Sequence, residues 1–162
     1  MAEKRADFEI WSDILKLQLD GVMMHTILFE EYSANNLTGY RNMHKHHAEE
    51  EFHTYLHILN DYINTYQEIP EIAQVFPPVV KLDGTTAEEK MANGIKIYQE
   101  WEQQICSELQ FYKKELSQGI ELLDELICNV HEELKCINLM QNELLDGKYE
   151  ELNCYLTKKW GD

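Results

Sequence analysis

The residues of this chain that could do chemistry are concentrated in one stretch, Leu37 to Ile72. It carries five of the seven histidines (His44, His46, His47, His53 and His57) and three consecutive glutamates, Glu49, Glu50 and Glu51. Imidazoles and carboxylates at this density are metal-ligand chemistry, unless they decorate a solvated surface. The two faces of the stretch therefore have to be separated. At about 100° per residue, Tyr40, His44, His47, Glu51, Tyr55, Ile58 and Tyr62 follow one another at steps of three and four. They adjoin an apolar row of Ala48, Phe52, Leu59, Ile63 and Tyr66, and this is the face expected to be buried. His46, Glu50, His53 and His57 repeat at steps of 4, 3 and 4 on roughly the opposite side and are expected to look outward. Imidazoles four residues apart share one helical face, so this outer row could hold zinc, copper or iron at the surface, or serve as a solvated stripe.

Outside that stretch, three residues interrupt apolar seams. Trp11, Leu15, Gln18, Val22, His25 and Phe29 form the seam of a first helix, and a buried glutamine or histidine in it needs a partner across the core. His25 reads as a core histidine bonded to a carboxylate or a tyrosine; Gly21, beside the same face, permits close helix approach. On a later helix Met91, Tyr98, Glu102, Ile105, Leu109 and Tyr112 share a face. Glu102 is thereby placed among apolar residues, where a carboxylate requires a cation, a metal or a hydrogen-bond donor.

The elements that position these groups are all helical. The first helix spans Ala6 to about Ser33, with Asn35, Asn36 and Gly39 marking a short turn into the second, which ends at Tyr66. Pro70, Pro77, Pro78 and Gly84 then punctuate a connection of nearly twenty residues, whose simplest path crosses the bundle end to end and makes the second and third helices parallel. Thr85 or Thr86 before Glu88 and Glu89 is an N-cap for the third helix. Ser117, Gln118 and Gly119 precede a fourth, Ile120 to about Leu145, with Glu133 at the edge of its buried face and His131 pointing away. Tyr149, Leu152, Leu156 and Trp160 suggest a short fifth helix, too brief to stand alone, that docks on the bundle or on another subunit. The expected architecture is an all-α four-helix bundle of about residues 6–145 with a C-terminal helix over about 148–160, in one domain of residues 1–162.

Composition narrows the partners. The formal charge is −16, with 14 Lys and Arg against 30 Asp and Glu, which argues against nucleic acid and anionic membranes and favours cations. No apolar run approaches the ~18 residues of a membrane span, and MAEKRADFEI lacks the apolar segment of a signal peptide, so a cytoplasmic protein is expected. Cys106, Cys128, Cys136 and Cys154 lack C-x-x-C spacing and read as reduced, packing cysteines. No Gly-rich phosphate loop or nucleophile elbow occurs.

Four long helices, a long second connection and mid-helix carboxylates and histidines are the plan of ferritin-like carboxylate proteins. In its letters the chain resembles bacterial non-haem ferritins over roughly residues 8–145. Leu37, Gly39, His47, Ala48, Glu50 and Glu51 resemble the family's approach to its second helix, and Leu59, Asp61, Tyr62, Pro70 and Ile72 its exit. Leu17, Gln18 and Leu19, then Glu102 and Gln103, then His131, Glu132 and Glu133 resemble segments of the other three helices. The resemblance implies one or two iron ions per chain held mid-bundle, Fe(II) oxidised by oxygen and stored as Fe(III), and a hollow homo-oligomer such as a 24-subunit shell. It also implies an inner ligand set of Gln18, Glu51, Glu102 and Glu133 with His47 as the imidazole; Glu50 and His53 carry the Glu-x-x-His spacing but fall on the outer row. Gln18 departs from the family's glutamate. The second helix has two registers, one placing Glu51 and His47 inside and one placing Phe52 and Tyr55 there, and a one-residue π-bulge would reconcile them. On the third helix, Glu102 and Gln99 are alternative ligand positions. Rival readings are a metal-poor bundle acting as a structural or interaction subunit, and a non-storage di-metal oxidase or peroxidase.

Overall fold

A computed structural model describes residues 3–72 and 81–161. Within them the chain is all-α: α1 (Asp7–Ala34), α2 (Thr38–Tyr66), α3 (Ala87–Glu115), α4 (Ile120–Leu145) and α5 (Tyr149–Lys159). Pro77 and Pro78, part of the expected connection, lie outside the described residues. No helix among those described is long and apolar enough to cross a membrane.

Local chemistry sets the helix ends. The Thr86 hydroxyl accepts the Glu89 amide at 3.1 Å while the Glu89 carboxylate accepts the Thr85 and Thr86 amides, a reciprocal cap that satisfies donors the helix leaves free. Gly119 sits at φ 79° between α3 and α4, a left-handed conformation that glycine adopts without steric conflict. Asn36, also left-handed at φ 58°, reverses the chain between α1 and α2.

Side-chain contacts give the helix directions. Phe8 meets Tyr66, His25 meets His47 and Tyr32 meets Tyr40, so α1 and α2 run antiparallel. Lys113 pairs with Asp124 and Gln99 bonds Gln141, so α3 and α4 are antiparallel as well. The start of α1 is pinned to the α3–α4 turn, where Asp7 accepts the Ser117 and Gln118 amides at 3.0 Å. Its other end is pinned ahead of α3, where Glu31 accepts the Leu82 amide. Hence α1 is antiparallel to α3 too.

The apolar interior is in two parts. One gathers Ile10, Ile14, Leu15, Ile58, Leu109 and Leu123, and the other Met24, Leu28, Tyr32, Met91, Ile95 and Ile137. Between them lie buried polar residues: Gln18, His25, His44 and Glu102. α5 docks on its own chain, with Leu152 and Leu156 buried and the Asn153 side chain accepting the Gly39 amide. The expected inner face of α2 is buried or half-buried from Tyr40 to Tyr62, and the outer row is outward, with Glu50, His53 and His57 exposed. The adjoining apolar row is less buried than expected, because Phe52 (45%) and Ile63 (40%) face solvent. α2 is α-helical throughout its span, so no π-bulge shifts its register.

Candidate metal centre

The middle of each long helix contributes one group to a buried polar cluster. α1 supplies His25 and α3 supplies Glu102, whose side chains are 0% and 1% exposed. α2 supplies Glu51, and α4 supplies Glu133. His25 Nε2 lies 3.4 Å from Glu51 Oε1 and 3.9 Å from Glu102 Oε1. The carboxylate of Glu51 reaches α1 because position 21 is glycine: a Cβ there would fall 2.1 Å from Glu51 Oε2. Glycine costs an exposed helix about 1 kcal/mol relative to alanine, and here it leaves room for the acid. Glu133 accepts a short hydrogen bond from the Tyr98 hydroxyl.

Charge in this cluster is arranged around one imidazole. Burial opposes protonation of His25, yet the field of Glu51, whose Oε1 stands 3.4 Å from Nε2, joined by the field of Glu133, raises its pKa above the ordinary histidine value. Burial, then the fields of Glu133 and Glu51, push Glu102 well above the carboxylate range, so without a bound cation it is a neutral acid. Burial also raises Glu133, and the nearby His25 and the Tyr98 hydroxyl partly offset this. His44 and His47 behave oppositely. Burial and the neighbouring His25 depress both, His44 well below the ordinary value and His47 to about 3, so both stay neutral.

Three polar atoms of the cluster have no hydrogen-bond partner although each is inaccessible: His25 Nε2, Glu51 Oε2 and Glu102 Oε1. Unpaired buried polar atoms cost about 1–3 kcal/mol each, so two carboxylate oxygens without a partner, beside an imidazole nitrogen whose close neighbour is Glu51 Oε1 at 3.4 Å, would be relieved by a shared cation. Ligand atoms of these three residues lie within 4.8 Å of one another, the group of donors that could hold a metal ion among the described residues. Two donors each ~2.1 Å from one ion stand about 3.4 Å apart at a tetrahedral angle and about 4.2 Å apart in line. The separations of 3.4 and 3.9 Å fall in that interval. One imidazole nitrogen and two carboxylate oxygens suit Fe(II), Mn(II) or Zn(II) better than soft metals.

Two cavities flank the cluster beside α2 and α4; they reach Glu51 and Glu133 but not the buried His25 and Glu102. On one side a cavity of about 560 Å³ has apolar walls, including Met43, Met140, Leu152 and Trp160, and a floor of His47, Tyr98 and Glu133. On the other a groove of about 630 Å³ carries His46, Glu50, His53 and Glu132 and reaches Gln18, Glu51 and Glu133.

Of the residues expected from sequence, Glu51 and Glu102 are in the three-donor group and Glu133 is in the surrounding cluster. In the second helix it is Glu51, and not the half-exposed Phe52, that faces α1. Gln99 bonds Asn138 and Gln141 on α4, away from the cluster. Gln18 is 8% exposed and lines the groove without joining the three donors. His47 packs its ring 5.3 Å from both His25 and Trp160, its nitrogens outside the donor group. Glu50 pairs outward with His46 at 3.0 Å, and His53 is exposed. His25 supplies the imidazole, a role its sequence context does not reveal; its place two turns beyond Gln18 on one seam is the only signal. Comparison with protein-family models and with curated protein sequences finds no match to this chain.

Proposed function

We propose that this protein is a ferritin-like four-helix bundle that binds Fe(II) at His25, Glu51 and Glu102, with Glu133 beside them, and takes part in iron oxidation and storage. The approach of ligand atoms of His25, Glu51 and Glu102 to within 4.8 Å of one another, in a buried setting, carries the reading. Helix directions support the ferritin-like topology. If α1 opposes both α2 and α3, then α2 and α3 are parallel, and the end of α2 and the start of α3 stand about one helix of 29 residues apart. That helix is about 44 Å long, and twenty extended residues reach roughly 66 Å, so the connection can cross end to end.

Iron bound there would supply one-electron exchange with oxygen. The chain's own part is to hold and tune it. His25 offers Nε2, the two carboxylates offset the charge of the ion, and neutral His47 and the Tyr98–Glu133 pair form the floor of the approach. Binding displaces the proton of Glu102 and one proton of His25, so it is coupled to proton release. An acidic groove over the cluster draws cations toward it, consistent with the charge of −16.

The test is anaerobic Fe(II) titration of chelator-stripped protein, followed by oxygen and by light scattering. One saturable ion per chain, ferric absorbance above the buffer rate and a shell-sized particle are expected. Absence of saturable binding refutes the metal centre, and a small oligomer refutes storage. The His25–Glu51 ion pair also favours a second reading, a bundle that compensates its buried charges internally and serves as a scaffold; that reading predicts no bound metal. Zinc at the outer row would engage the pairs His46–Glu50 and His57–Asp61.

A further inference from the structure

His44 is wholly buried on α2 and belongs neither to the three donors nor to the approaches. Its Nδ1 lies 2.9 Å from Nδ1 of His25, hydrogen-bond distance for two imidazole nitrogens of which one must donate and the other accept. Its Nε2 has no partner, and its ring stacks on Tyr32 at 5.4 Å with an interplanar angle of 8°. The ring is therefore held by packing, with one polar atom engaged.

The direction of this bond decides what His25 can do. Were His44 the donor, His25 Nδ1 would have to be a bare acceptor and its only proton would sit on Nε2, pointing at Glu51 and leaving no lone pair for an ion. With His44 the acceptor, Nδ1 of His25 keeps its proton. Nε2 can then exchange its own proton for a metal without any rearrangement at Nδ1. Both the protonated imidazole paired with Glu51 and the metal-bound imidazole need the same Nδ1–H donation, so one hydrogen bond serves both states.

We infer that His44 is a positioning residue: as the Nε2–H tautomer it accepts the Nδ1–H of His25 and so directs the His25 Nε2 lone pair at the space between Glu51 and Glu102. This rests on the metal-centre reading above. Outer acceptors of this kind orient metal-bound histidines and typically contribute 10–100-fold to affinity.

The test uses the full chain with Co(II) as the probe, comparing His44→Phe, which keeps the ring and removes the acceptor, with His44→Asn, whose carbonyl can stand near the lost Nδ1. Expected are Co(II) binding weakened 10–100-fold in His44→Phe and restored to within about threefold in His44→Asn, with urea midpoints of both measured to separate folding from affinity. Long-range ¹H–¹⁵N spectra of the metal-free protein provide a readout that packing alone would not move: His44 should carry its proton on Nε2. A His44 proton on Nδ1, or an unchanged Co(II) affinity in His44→Phe, overturns the inference while leaving the metal centre standing. No saturable Co(II) binding by the wild-type chain, or wild-type binding by His25→Phe, overturns the metal centre itself and the inference with it.

Discussion

Glu102→Gln preserves the volume and shape of a buried side chain, removes its ability to ionise and sets an amide NH2 in place of one carboxyl oxygen. Glu102 is 1% exposed, and burial followed by the fields of Glu133 and Glu51 holds its pKa well above 4.5. A carboxyl whose folded pKa exceeds its unfolded value binds more protons when folded. Stability contributed at low pH is therefore lost as pH rises from the unfolded value through the folded one. At 1.36 kcal/mol per pH unit, the loss accumulated over the 2.5 units from 4.5 to pH 7 cannot exceed about 3.5 kcal/mol. The glutamine variant lacks this loss. In chelator, wild type and variant should unfold alike near pH 4.5, and at pH 7 the variant should be more stable by about 1–3 kcal/mol, a urea midpoint shift of roughly 0.5–1.5 M. The same change removes one of three donors, so Co(II) affinity should fall at least tenfold. A stabilised apoprotein that binds metal poorly is the signature of an acid retained for a ligand role. A variant less stable than wild type at pH 7 in chelator, or one that binds Co(II) with wild-type affinity, refutes the reasoning.

Gly21→Ala should leave urea stability unchanged or raise it by up to about 1 kcal/mol, because the helix gains propensity and a flexible carboxylate can move aside. Its Cβ occupies the space of Glu51 Oε2, so Co(II) titration should show weaker binding; undiminished affinity would detach Glu51 from the site. Tyr98→Phe strips the half-buried Glu133 carboxyl of its donor and should destabilise the protein by about 0.5–1.5 kcal/mol in urea unfolding. His47, held neutral with a pKa of about 3, contributes stability that is complete above pH 6.5 and lost as pH falls toward 3. Between pH 6.5 and 5 this amounts to about 2 kcal/mol, and His47→Phe should flatten that part of the urea-midpoint profile. His53→Ala combined with His57→Ala should remove zinc bound beyond the first ion per chain while leaving that first ion in place, as read by equilibrium dialysis.

The helices were legible because their signals are local. The three- and four-residue spacing of apolar side chains, the Thr86–Glu89 cap and the glycine at the α3–α4 turn act within a few residues, and α4 begins and ends where they place it. Glu102 was legible for a related reason: a carboxylate on an apolar seam must end up buried, whatever the partner helix turns out to be. Which groups would meet it was another matter. The densest run of histidines and glutamates lies on α2, yet of these only Glu51 joins the three donors. The imidazole comes from α1, where a single histidine on an apolar seam looks like any core histidine. Its proximity to Glu51 and Glu102 depends on how α1 packs against α2 and α3, and on an absent Cβ at Gly21. Likewise, nothing in the spacing of His25 and His44 announces a 2.9 Å contact between them. Periodicity assigns a residue to a face of its own helix, whereas a metal centre needs donor atoms from three helices placed to within an ångström. That placement is a property of packing between helices far apart in the chain, and only the tertiary structure decides it.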